Sequence, residues 1–264
     1  MAISRTIWIT GASSGIGEAL ALHWAVAGTM LILSGRNKDQ LNRVALNCEQ
    51  RGAEVQVIQF DLTKEDEIAL AVEKAKSMVP KIDILVNNGG ISQRSLVVDT
   101  PAEVMRTIME TDFWGHVNLT RHLLPFMVKT GGGRIVVISS LSGLFGFQER
   151  SMYCAAKHAL HGFFETVRLE HQKDNISVTM VCPGRVKTNI SYHAITSTGN
   201  EHGKMDKGQK NGVSAEYCAA KVDHALKRHK KQIVIGKKEV IMPYLKHFAP
   251  WLFYWIAFRV DPNA

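Results

Sequence analysis

Disulfide and metal frameworks are the first things this chain of 264 residues lacks. Its four cysteines, Cys48, Cys154, Cys182 and Cys218, are scattered, with no Cys-x-x-Cys pair and no Cys/His spacing of the kind that binds metal. A reduced, cytoplasmic setting and no metal site are therefore expected. Cys154, next to Tyr153, could be read as a reactive thiol, but a small buried apolar role fits it better. The start from Met1 to Thr10 has too short an apolar run for a signal peptide and leads straight into a strand-like segment, so no export is expected. The aromatic run Phe248 to Phe258 falls well short of the ~20 residues that a spanning helix needs. Its flanking Lys246 and Arg259 permit peripheral association with a membrane surface, beside packing over a pocket or against a second subunit. Acidic residues are in deficit, 24 against 32 basic, giving a net charge of +8. Much of the excess lies between Lys204 and Lys238 without the interleaved aromatics of a single-strand binder, so no nucleic-acid partner is expected.

What the chain does contain is an alternation of short β-branched runs with longer helical patterns, as a parallel sheet with crossover helices requires. Strands are expected at Thr6–Thr10, Met30–Ser34, Val55–Asp61, Ile82–Asn87, Arg134–Ser139, Ser177–Cys182 and Gln232–Ile235. Helices are expected near Gly15–Ala27, Lys38–Gln50, Glu65–Met78, Ala102–Val128, Ser151–Asp174 and Ser214–Lys227, the fourth broken near its start and bent or ended at Pro125. The strand runs are almost continuously apolar, which places helices on both sheet faces. The fold class is α/β, doubly wound, in a single domain over 1–264. From 189 to 213 glycines punctuate polar residues, the pattern of a mobile loop and a candidate substrate lid. Residues 239–260 form an apolar C-terminal segment.

Between the first strand and first helix stands Thr10-Gly11-Ala12-Ser13-Ser14-Gly15-Ile16-Gly17. Glycines at such a turn let backbone approach a pyrophosphate, and the helix start offers unpaired N–H groups and a favourable dipole. The spacing Gly-x-x-x-Gly-x-Gly resembles the short-chain dehydrogenase/reductase family, and the resemblance runs through at least Ile7 to Thr188. It implies a Rossmann-type sheet of about seven strands. It also implies Asp61 and Leu62 beside adenine, and Asn88-Gly89-Gly90 in the place of the family's Asn-Ala-Gly. Gly89 is expected to loosen that loop without abolishing cofactor contact. Ser13, Ser14 and Ile16 belong to the same phosphate turn. At the end of the second strand Arg36 stands where an acid would bind the ribose of NAD, so NADP is the expected cofactor through pairing with its 2′-phosphate.

Tyr153 and Lys157 are four apart on an expected helix, so the ammonium can sit beside the phenol and favour its ionised form. A free tyrosine titrates near pH ~10, too high for efficient general acid–base work without such a neighbour. Ser140, thirteen positions before Tyr153, resembles the family's substrate-positioning serine. Ser139 and Ser142 compete with it by sequence, and the spacing to Tyr153 selects Ser140. By the same resemblance Lys157 also binds the nicotinamide ribose. Pro183-Gly184 begins a turn that brings Val186 and Thr188 near the nicotinamide. The family's fourth site residue is usually asparagine; here Asp112 takes its place. If that position acts through its backbone carbonyl in a proton relay to Lys157, aspartate substitutes with little loss. If its carboxylate approaches Lys157, it holds the ammonium but offsets the field at Tyr153.

These residues point to an NADP(H)-dependent oxidoreductase interconverting an alcohol and a carbonyl, with Tyr153 as general acid/base. The alternative is a catalytically weak NADP-binding sensor or scaffold. The runs Asn88–Ser92 and Thr111–Thr120 resemble the branch of hydroxysteroid-dehydrogenase-like and dehydrogenase/reductase-member-7-like proteins, which leans toward a lipophilic carbonyl or alcohol. A homodimer or homotetramer is what the family implies.

Overall fold

The computed structural model describes residues 3–260, so Met1 and Ala2 of the start considered above lie outside it. In chain order the elements are β1 (Arg5–Thr10), α1 (Gly15–Trp24), β2 (Thr29–Gly35), α2 (Lys38–Glu49), β3 (Glu54–Gln59), α3 (Glu65–Met78), β4 (Ile84–Asn87) and β5 (Gln93–Arg94). There follow α4 (Ala102–Met109), a π turn (Glu110–Trp114), α5 (Gly115–Lys129), β6 (Gly133–Ile138), α6 (Ser151–Glu170), β7 (Ile176–Pro183) and β8 (Ile195–Thr196). The chain closes with α7 (Lys207–Lys210), α8 (Ala215–Lys227), β9 (Gln232–Ile235), α9 (Met242–Phe248) and α10 (Pro250–Ala257).

Alternation along the strands explains the layers. Ile7 and Ile9 of β1, with Leu31 and Leu33 of β2, face α1, α2 and α8; Trp8 and Ile32 between them face α3, α5 and α6. The polar tip of Trp8 is satisfied inside the core, its Nε1 donating to Ser34 Oγ at 2.9 Å. Seven strands make one parallel sheet in the order β3-β2-β1-β4-β6-β7-β9. Order reverses direction between β1 and β4, so the loops after those strands diverge and leave a crevice at their carboxyl ends.

Several boundaries differ from the sequence expectations for identifiable reasons. Helix α1 stops at Trp24 because Ala25 leaves helical geometry and Gly28 (φ +81°) turns the chain into β2. β3 ends at Gln59 because Asp61 folds into a side-chain turn, its Oδ1 accepting from the N–H and hydroxyl of Thr63. The expected break after Ala102 is a π turn that joins α4 to α5, and Pro125 does not end α5, which runs on to Lys129. Pro125 lies on the exposed side, as does Arg121, whose carbonyl it leaves without a helical donor, so water can take that bond. Residues 189–213 are also more ordered than the glycine pattern implies. They contain β8, which pairs with β5 through Gln93↔Ile195 and Arg94↔Thr196, and the short α7.

Candidate active site

The glycine turn leaves β1 at Thr10 and is clamped from β4. Asn88 Nδ2 donates to the carbonyls of Thr10 (2.9 Å) and Gly11 (3.2 Å), while Thr10 Oγ1 accepts from the N–H groups of Asn88 (2.9 Å) and Gly89 (3.1 Å). Gly11 has φ +62°, and a Cβ there would lie 2.7 Å from Gly89 Cα, so only glycine lets the two loops approach. A Cβ on Gly17 would lie 2.3 Å from the Gly11 carbonyl oxygen, so this glycine seats α1 against the turn. Ser14 at the N-cap makes no side-chain capping bond, leaving the first turn of α1 open to a ligand.

A cavity of about 1880 Å³ runs from this turn across the carboxyl ends of the strands. It is lined by Gly11, Ser13, Ser14, Gly15, Ile16, Arg36, Asp61, Leu62, Asn88 and Gly89 at one end. Further along it are Asp112, Ser140, Tyr153, Lys157, Pro183, Gly184, Val186 and Thr188. Gly17 alone of the expected site residues is not on this wall, which fits its packing role. A glycine turn on its wall, an uncapped helix start and a cavity of this size fit an extended dinucleotide. Gly89 does not loosen its loop: its N–H is held by Thr10 and its carbonyl by His116 Nε2 at 2.7 Å.

Ser140 ends the loop after β6 and Tyr153 and Lys157 come from the first two turns of α6. Ser140 Oγ accepts from Ser142 N (3.1 Å) and lies 3.4 Å from the Pro183 carbonyl, while Ser139 turns away toward His161 (3.1 Å). That contrast selects Ser140, not Ser139, as the serine facing Tyr153. Lys157 Nζ is 5.6 Å from the Tyr153 ring centroid, donates to the Ile138 carbonyl at 3.3 Å and sits 3.2 Å from Asp112 Oδ2. Asp112 is the one buried residue of the π turn; its Oδ1 accepts from Ile91 N at 2.8 Å. Of the two arrangements open for Asp112, the carboxylate approach to Lys157 is therefore the one found. The contact is a buried ion pair, with both side chains almost wholly removed from solvent.

These contacts set the protonation pattern. Burial raises the Tyr153 phenol above its ordinary value; Lys157 and a hydrogen bond from Ser140 pull it down, and Asp112 pushes it up again. Burial works against the Lys157 charge, but Asp112 and Tyr153 outweigh it and keep the ammonium protonated. Burial pushes the Asp112 carboxyl up, only partly countered by Lys157 and the Ile91 N–H.

Three features escaped the sequence. His116, one helical turn after Asp112, is fully buried and neutral, burial and Lys157 driving its pKa down to about 3. Its motif signal was nil, because a histidine on an apolar helix face usually belongs to the core. Gln93 fixes the start of α6: its Oε1 accepts from the N–H groups of Met152 (2.8 Å) and Tyr153 (3.3 Å). Asp206, from the segment 189–213, pairs with buried Arg94 and lies 3.4 Å from Arg150 Nη2, tying that segment to the cavity wall.

The family model described as short chain dehydrogenase matches residues 5–197, which holds every one of these site residues but Asp206. The chain belongs to the short-chain dehydrogenase family. A dehydrogenase/reductase SDR family protein 7-like of Anopheles gambiae is 39% identical over 258 residues, covering 96% of this chain and 81% of that protein. A short-chain dehydrogenase structure from Streptomyces avermitilis matches with TM-score 0.79 and 27% identity over 95% of this chain and 96% of its own. One from Sphingobium yanoikuyae, solved in complex with NADPH, matches with TM-score 0.76 and 27% identity, covering 87% of each chain. As a short-chain dehydrogenase this protein is an oxidoreductase of a family whose structures include complexes with nicotinamide dinucleotides.

Proposed function

We propose that the chain is an NADP(H)-dependent oxidoreductase that interconverts an alcohol and a carbonyl compound. The observation that carries this reading is the convergence of Ser140, Tyr153 and Lys157 on the cavity that the glycine turn also lines. A bound dinucleotide would supply or accept the hydride. Ser140 Oγ hydrogen-bonds the substrate oxygen and aligns it with the phenol. In reduction the Tyr153 hydroxyl gives its proton to that oxygen, and the Lys157 ammonium stabilises the phenolate that remains. In oxidation the same phenolate takes the proton back. A phenol held high by burial stays protonated near neutral pH, which sets the free enzyme for reduction.

Arg36 supports NADP over NAD: it is exposed on the cavity wall, and no ion pair holds it among the described residues, whereas nearby Arg43 is engaged by Glu18 at 2.7 Å. Residues 189–213 act as the substrate lid in this reading, with Asn189, Asp206 and Gln209 on the cavity wall. A second reading, a dinucleotide-binding sensor without turnover, draws on the Asp112 contact with Lys157.

NADPH oxidation across aldehydes, ketones, quinones and steroids tests both. At least one carbonyl should be reduced, and Tyr153→Phe should lower kcat by about 100-fold or more. Equal turnover in the variant would overturn the mechanism; NADPH binding with no turnover of any carbonyl would favour the sensor. Arg36→Asp should cut the preference for NADPH over NADH by about tenfold or more, the loss of one charge-assisted phosphate contact. An unchanged ratio would remove the cofactor assignment.

A further inference from the structure

The aromatic side chains of the C-terminal helices are divided between two faces. On α10 and just beyond it, Trp251, Tyr254, Trp255 and Phe258 recur at the spacing of one helical stripe and are 74%, 51%, 55% and 76% exposed. Tyr244 and Phe248 of α9, with Ile241 before it, continue the exposed surface. The opposite face is anchored. Phe253 is buried edge-on against Phe145, their centroids 5.4 Å apart, and Lys246 Nζ donates to the Leu144 carbonyl at 3.0 Å. Ile256, Ala257 and Val260, together with Met242, line the cavity that holds Tyr153. The same two helices therefore wall the site on one side and present an aromatic face on the other.

A soluble chain gains nothing from exposing four such rings on one stripe unless something covers them. We propose that α9 and α10 dock in the interfacial layer of a membrane carrying anionic lipid, and that the enzyme draws a lipophilic carbonyl or alcohol from that layer into its cavity. The second half of this statement rests on the proposed oxidoreductase function. Charge chooses the occupant. Between 237 and 259 the chain carries Lys237, Lys238, Lys246 and Arg259 with one acid, Glu239. Lys237, Lys238, His247 and Arg259 are exposed, whereas Glu239 is half-buried and its Oε1 accepts from Arg185 N at 3.1 Å. Arg259 lies over the Trp255 ring, 4.3 Å from its centroid, in the pairing of cation and indole suited to a headgroup layer. A second copy docked through the same patch would bring two such basic rims together, which a bilayer of anionic headgroups avoids. Helices of seven and eight residues are too short to span, and no helix among the described residues is long and apolar enough to do so. They suit a position lying in the plane of the interface.

Flotation of the full chain with vesicles tests the docking. Vesicles of phosphatidylcholine mixed with phosphatidylserine should carry up at least about tenfold more protein than phosphatidylcholine alone. The triple variant Trp251→Ser, Trp255→Ser, Phe258→Ser should stay at the bottom. It should still reduce a small water-soluble carbonyl at the wild-type rate while losing activity on a ketone dissolved in vesicles. Brominated lipid should quench tryptophan fluorescence of the wild type, a readout that needs no variant. Absence of both flotation and quenching, or equal flotation of the variant, would overturn the proposal. So would a dimer that the variant turns into monomer while neither form floats. Equal binding to neutral vesicles would overturn the assignment of anionic headgroups. Flotation needs no turnover, so a chain that floats but reduces nothing defeats only the functional reading.

Discussion

Lys157 is shared between a phenol and a carboxylate, and this sharing decides what Tyr153 does in the free protein. The aspartate was readable from the sequence, but the direction of its side chain was not. Asp112 could have faced a relay water or Lys157, and only the π turn, which swings Oδ2 to 3.2 Å from Nζ, chooses. A carboxylate there raises the Tyr153 pKa, so Asp112→Asn should lower it. Under the proposed mechanism, oxidation should speed up with rising pH as Tyr153 loses its proton. The rise for Asp112→Asn should therefore come at lower pH than for the wild type, with turnover at neutral pH kept or increased. A profile that does not move, or moves upward, would show that the carboxylate does not set the phenol. Cys154, beside Tyr153, is buried, burial raises its thiol above the ordinary value, and it adds only the smallest of the upward pushes on the phenol.

At the level of elements, the sheet and most helices were written in the hydrophobic periodicity. Seven runs rich in β-branched residues became the seven strands of the large sheet; the five inner ones are mostly buried on both faces and have few polar positions, while edge strand β3 leaves Glu54, Gln56 and Gln59 exposed and is read from its alternation. The two-residue pairing of β5 with β8 carries no such signal, being too short to show a period. A break near the start of the fourth helix could be expected, but not its form as a π turn, since one extra residue in a helix changes the phase of a pattern without interrupting it. Gln93 was missed because its work is to hold two backbone N–H groups of α6, a task that any of several polar residues could perform. The glycine turn, by contrast, was plain, because its spacing follows from close approach of backbone. Gly17→Ala should test that origin. The new Cβ would lie 2.3 Å from the Gly11 carbonyl oxygen, so α1 or the turn must move. Overpacking of this kind costs about 1–3 kcal/mol. A lower melting temperature and weaker NADPH binding measured by fluorescence titration are both expected; an unchanged affinity would separate Gly17 from the cradle.

On the scale of the whole molecule, segments far apart in the chain are tied together beside the cavity. Asp206 joins the 189–213 segment to Arg94 after β4 and to Arg150 before α6, all three nearly buried. Removing one partner of a buried ion pair usually costs about 3–5 kcal/mol, chiefly because the other charge is left uncompensated. Asp206→Ala should lower the urea midpoint and make residues 189–213 the first site of limited proteolysis. Cleavage elsewhere first would show that the segment is held by its backbone pairing alone.

The brace that Asn88 places on Thr10 and Gly11 spans 78 and 77 positions of sequence. A ribosome releases all three glycines of the turn long before it releases β4, the strand that lies beside β1 and is followed by Asn88. Until then β1 has an open edge and the turn has no clamp. A fragment cut before residue 84 would carry the complete glycine motif and still lack a nucleotide site. The motif names the place, but the site comes into being only when the middle of the sheet is joined.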